Sequence, residues 1–121
     1  MTSQELSERL IDFAARVCRL VDALPDTRMG RHIAGQLVRC GSSPAPNYEE
    51  ACASESRADF IHKLMIVLKE LRETQCWLRL IIKAELLPEQ RLNALLDECC
   101  QLSNFIGQSV VTAKSNKRSD A

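Results

Sequence analysis

Cys40-Gly41-Ser42-Ser43-Pro44-Ala45-Pro46-Asn47-Tyr48-Glu49-Glu50 is where an otherwise helical pattern stops and restarts. The fold turns on whether this stretch is a loop between two short helices or a break inside one long one. Gly41 offers a left-handed helix stop. Ser43 is an N-cap candidate, with Pro44 at the first helical position and Pro46 at the third. First-turn N–H groups have no intrahelical acceptor, so two prolines there cost no helical hydrogen bond. In an unbroken helix each costs about 3 kcal/mol. The apolar stripe also keeps its phase through the break: Ile33, Leu37, Cys40, Pro44, Tyr48, Ala51. A loop that reverses the chain has no reason to preserve that period. The stretch therefore reads as a collinear restart.

Upstream, Leu6, Leu10, Phe13, Val17, Leu20 and Leu24 alternate at spacings of four and three, the seam of a bundle helix that Pro25 ends. Downstream, Ser56 caps a third segment with Asp59 three residues on. It runs to about Leu86 along Phe60, Leu64, Val67, Leu71, Thr74, Leu78 and Ile81. Pro88 is expected to start the last helix, whose broad apolar face carries Leu92 through Val110. Three segments are each about 20 to 30 residues, or roughly 30 to 45 Å. A matching fourth exists only if Arg28 to Ser54 forms one rod. The expected fold is all-α: an antiparallel up-down-up-down four-helix bundle over residues 1–114, its second helix broken near Gly41–Pro46, with a frayed tail over 115–121.

Composition agrees with this reading. Hydrophobic residues make up 45% and aromatics only 4%, so the core is aliphatic. Few aromatics, 4 Gly and 4 Pro disfavour a sheet protein with frequent turns. Acids and bases balance at 16 each, so no global field draws the chain to nucleic acid or membrane. Six cysteines without a C-x-x-C pair, behind a polar N-terminus, read as reduced thiols in the cytoplasm. No apolar run approaches the about 18 residues that cross a bilayer.

Two runs, Gln36-Leu37-x-Arg39-x-Gly41-x-Ser43-x-x-x-Asn47-Tyr48-x-Glu50-Ala51 and Ser56-Arg57-Ala58-Asp59-Phe60-Ile61-His62-Lys63-Leu64, resemble the bacterial four helix bundle protein family. So does Leu68-Lys69-Glu70-x-x-Glu73-Thr74-x-x-Trp77-Leu78. That family is also known from proteins encoded in intervening sequences of large-subunit ribosomal RNA genes. The resemblance implies an antiparallel bundle that assembles into a ring-like homo-oligomer, typically a pentamer, with no established enzymatic activity. Related accessory proteins of diversity-generating retroelements share the bundle and bind nucleic acid through a basic surface. This chain differs from them in its balanced charge.

Candidate sites follow from polar or apolar residues in unexpected places. Asn47 and Glu50 share one helix face, as do Glu70 and Glu73, and the two pairs are expected to meet as a buried network. Ile61, Met65, Leu68, Trp77, Leu80 and Phe105 exceed the single apolar stripe a monomeric bundle needs, and are the expected oligomer contacts. Arg28, Arg31, Arg39, Lys114, Lys117 and Arg118 are candidate phosphate contacts. Asp59-x-x-His62 occurs once, whereas di-iron bundles repeat that spacing. No nucleophile, cofactor or metal constellation stands out. The expectation is a cytosolic, non-enzymatic oligomeric scaffold. The alternatives are a nucleic-acid-binding accessory protein and a metal- or small-molecule-dependent enzyme built on Asn47, Glu50, Glu70 and Glu73.

Overall fold

The computed structural model describes residues 1–119, with side chains through residue 116. Its helices are α1 (Ser3–Asp22), α2 (Arg28–Ser42), α3 (Pro44–Cys52), α4 (Arg57–Lys83) and α5 (Asn93–Ser119). Thr2 caps α1 through a reciprocal box with Glu5, and Thr27 and Ser56 cap α2 and α4. The expected frayed tail falls partly on residues 120–121, which lie outside the described residues; the backbone of α5 is helical to Ser119.

α2 and α3 form the single bent rod that the apolar phase requires. Ser43 between them has φ −65° and ψ −36°, and its N–H donates to the Arg39 carbonyl at 3.1 Å. The backbone therefore keeps helical dihedrals through the junction, and two expectations are corrected. Gly41 is not a left-handed stop, since no glycine has positive φ. Ser43 makes no side-chain cap; its hydroxyl and carbonyl instead accept from Asn47 Nδ2 at 2.8 and 2.9 Å. The carbonyls that lose a backbone donor are those of Cys40 and Ser42, four residues before Pro44 and Pro46. Those of Val38 and Arg39 are engaged by Ser42 Oγ and the Ser43 N–H.

The rod packs against α1 and α4, and α5 packs against the same two helices. Antiparallel order is visible in the contacts: Ser7 reaches Glu49, while the Cβ position of Gly41 lies 2.6 Å from Val17 Cγ1. α1 and α4 consequently stand at opposite corners. Leu10, Phe13, Ile33, Leu37, Leu64, Leu71, Leu78, Leu102 and Ile106 are wholly buried between the helices.

The connection into α5 departs from the expected start at Pro88. α4 ends in a Schellman motif, with Leu86 N–H on the Ile81 carbonyl and Glu85 N–H on that of Ile82, both 3.0 Å. Glu85 takes the left-handed position at φ 56°. Pro88 then precedes a 3₁₀ turn over Glu89–Arg91, and α5 begins at Asn93.

Candidate functional site

A cluster of polar side chains lies on the seam between α2 and α4. Arg39 donates to Glu70 Oε2 at 3.0 Å and also to Glu73, while Gln36 Oε1 accepts from it at 3.3 Å. Glu73 further accepts from Trp77 Nε1 at 3.3 Å. The Trp77 ring meets His32 edge-on, with centroids 5.7 Å apart. Residues three and four apart on one helix thus hold hands across to the next. Beneath them Thr74 is completely buried, its hydroxyl donating to the Glu70 carbonyl at 2.8 Å. Cys40 sits beside Thr74, and burial raises its thiol pKa. Cys99 donates to the Leu71 carbonyl at 3.2 Å, and burial pushes its thiol up to about 12. These thiols stay protonated and are poor nucleophiles at neutral pH.

The candidate network divides in two. Glu70 and Glu73 come together through Arg39, but Asn47 bonds within its own helix, and Glu50, largely exposed, pairs with Lys63 at 3.0 Å. Among the described residues no group of three or more His, Cys, Asp or Glu is placed to hold a metal ion. His62 is exposed.

The proposed oligomer contacts also separate. Met65, Leu80 and Phe105 are exposed at 44%, 38% and 37%, and Ile61 and Trp77 are half-buried. Leu68 is a core residue of the single chain, because it lies on the inward side of α4 next to Val67 and Leu71. Of the candidate phosphate contacts, Arg31 is paired with Asp26 at 2.7 Å, and Arg39 is taken by Glu70 and Glu73. Arg28 and Lys114 are exposed, and the side chains of Lys117 and Arg118 lie outside the described residues.

Segregated charge on opposite corners of the bundle was missed by counting whole-chain charge. From His62 to Lys83 the exposed positions of α4 are His62, Met65, Lys69, Arg72, Cys76, Arg79, Leu80 and Lys83, with no acid among them. On α1 the exposed positions include Glu5, Glu8, Ile11, Asp12, Ala15, Cys18, Arg19 and Asp22. The signal was readable as charge sign along a helical period rather than as a total.

Two clefts lie near these residues. One of about 490 Å³ lies at the end of the bundle, where Leu6, Tyr48, Phe60 and Phe105 meet Arg57 and Gln108. Burial first, then a hydrogen bond with Cys52, holds the Tyr48 hydroxyl protonated well above its ordinary range. The other, about 610 Å³, runs between α4 and α5 past Leu68, Arg72, Gln75 and Gly107. No helix among the described residues is long and apolar enough to cross a membrane.

Comparison with known proteins agrees with this architecture. A protein of unknown function from the S23 ribosomal protein family of Bacteroides thetaiotaomicron VPI-5482 has a similar structure, with a TM-score of 0.81 and 30% identity. The alignment covers 87% of this chain and 97% of that one. None of the curated proteins matches. The family model described as 23S rRNA-intervening sequence protein matches residues 3–108. With its bundle architecture and most of its length accounted for, the chain belongs to the 23S rRNA-intervening sequence protein family.

Proposed function

We propose that this protein is a non-enzymatic interaction scaffold that self-associates in the cytoplasm, in a ring whose size the family resemblance puts at a pentamer. The observation that carries this reading is the apolar surface left over once one chain has closed its core. Ile11, Met65, Leu80, Phe105 and Val111 stay exposed at 37 to 57% on α1, α4 and α5. Scattered exposed apolar residues are ordinary, but their recurrence on helix faces that also carry small residues favours helix-to-helix contact. Six free cysteines are consistent with a reducing compartment. The polar layer around Thr74 is satisfied within the chain, and no buried side-chain N or O lacks a partner among the described residues. That arrangement supports a structural role for Glu70 and Glu73 in fixing helix register over an enzymatic one. Size-exclusion chromatography with light scattering tests the proposal: the expected mass is a multiple of 13.6 kDa, and a monomer at micromolar concentration contradicts it.

A further inference from the structure

We infer that copies associate head-to-tail, with the acidic outer ridge of α1 in one copy seated on the basic outer ridge of α4 in the next. This rests on the self-association proposed above and specifies the surfaces that meet. On α1, Glu8, Ala15 and Asp22 are all exposed and lie seven residues apart. On α4, Lys69, Cys76 and Lys83 are exposed with the same spacing. Each ridge therefore has a small residue at its centre and a charge two turns to either side, the outer charges spanning about 21 Å along the axis. The signs are opposite on the two ridges.

None of these four charged side chains makes an ion pair or hydrogen bond within the described residues. Asp12 and Arg19 on the first ridge, which keeps a net negative charge, and Arg72 and Arg79 on the second, are likewise unpaired there. Elsewhere the same chain pairs its charges readily, as Arg9 does with Glu98 and Arg39 with Glu70. An exposed apolar side chain accompanies each ridge, Ile11 on α1 and Leu80 on α4. Ala15 and Cys76 let two helix axes approach closely where the ridges cross.

The geometry also sets the kind of symmetry. α1 and α4 occupy opposite corners of the bundle, so one copy cannot satisfy its own ridges. A two-fold dimer that put α4 on α4 would oppose like charges. Joining α1 to α4 is a heterologous contact, which gives a ring when the rotation closes and an open chain when it does not. Charge complementarity of this kind suppresses the wrong pairing as well as attracting the right one. A nucleic-acid strand is the competing occupant of the α4 ridge. It accounts for the cations but not for the matching acids on α1, and no aromatic side chain is exposed on the ridge for base stacking.

Charge reversal with exchange tests the inference. Variant one carries Glu8→Lys and Asp22→Lys; variant two carries Lys69→Glu, Arg72→Glu, Arg79→Glu and Lys83→Glu. All of these positions are exposed, and circular dichroism checks that each variant remains helical. In sedimentation velocity at low salt, each variant alone is expected to sediment as a monomer, because its two ridges then have the same sign. An equimolar mixture is expected to reassociate into assemblies in which the two variants alternate, open-ended or with an even number of copies, since each ridge of one variant again meets its opposite on the other. Wild-type-like assembly of either variant alone, or a mixture that stays monomeric, overturns the pairing while leaving self-association intact. A monomeric wild type contradicts the self-association itself. Assembly unchanged in the variants, with loss of RNA-oligonucleotide binding only in variant two, assigns the α4 ridge to nucleic acid instead.

Discussion

The Cβ position of Gly41 lies 2.6 Å from Val17 Cγ1, inside the closest approach that side chains tolerate, so the rod of α2 and α3 can cross α1 only where a side chain is missing. Replacing Gly41 with Ala is expected to force the helices apart and cost about 1 to 3 kcal/mol, as overpacking does. Gly35 lies in the same helix with nothing within 4 Å of its Cβ position. Gly35→Ala is expected to stabilise the fold by about 0.5 to 1 kcal/mol. Urea unfolding of the two variants checks the contrast; equal effects would show that the crossing is loosely packed.

Glu85 holds a left-handed conformation that glycine adopts without strain. Glu85→Gly is therefore expected to raise stability, by about 1 kcal/mol or less because the unfolded chain also gains freedom. A thermal melt provides the measurement. A lower Tm would mean that the Glu85 side chain has a stabilising partner.

Pro46 is exposed and leaves the Ser42 carbonyl without a backbone donor. Because Ser43 already has helical dihedrals, Pro46→Ala should add a hydrogen bond to an existing helix. The expected result is an unchanged fold with stability equal or greater, by up to about 3 kcal/mol. Loss of helical circular dichroism in this variant would show that the proline fixes the bend.

Cys99 makes stability depend on alkaline pH. An unfolded cysteine ionises near about 8.5, whereas burial holds Cys99 protonated to about 12. Above the unfolded value the unfolded chain binds fewer protons than the native one, so rising pH favours unfolding. The expected penalty approaches about 1.4 kcal/mol per pH unit within that window and is absent below about pH 8. Denaturant titrations at pH 8 and pH 10 measure it, and Cys99→Ala should reduce the dependence, leaving the part that the buried Cys40 thiol contributes. Persistence of the same slope in that variant assigns it to other groups.

Much of the architecture was legible because apolar phase survives local chemistry. Ile33, Leu37, Cys40, Pro44, Tyr48 and Ala51 stay on one face whether or not the helix is interrupted, and they predicted one rod correctly. The local signals were misread for the same reason. Gly41 resembles a helix stop, but its neighbour Val17 lies in another helix, and no local rule shows that contact. The end of α4 was placed late because Glu85, rather than a glycine, occupies the left-handed position. Glu70 and Glu73 both bond Arg39, and their shared face was legible because spacing on one helix is local information. Their partner Arg39, and the separation of Asn47 and Glu50, depend on how helices rotate against each other. Leu68 belongs to the core for that reason too. The charged ridges were hidden by the neutral total, which averages opposite corners of the bundle.

Native mass spectrometry of the wild-type protein at low ionic strength tests self-association most directly. The account predicts a discrete assembly whose mass is an integer multiple of 13.6 kDa, dissociating as salt screens the exposed charges. A single species of 13.6 kDa at micromolar concentration would contradict it.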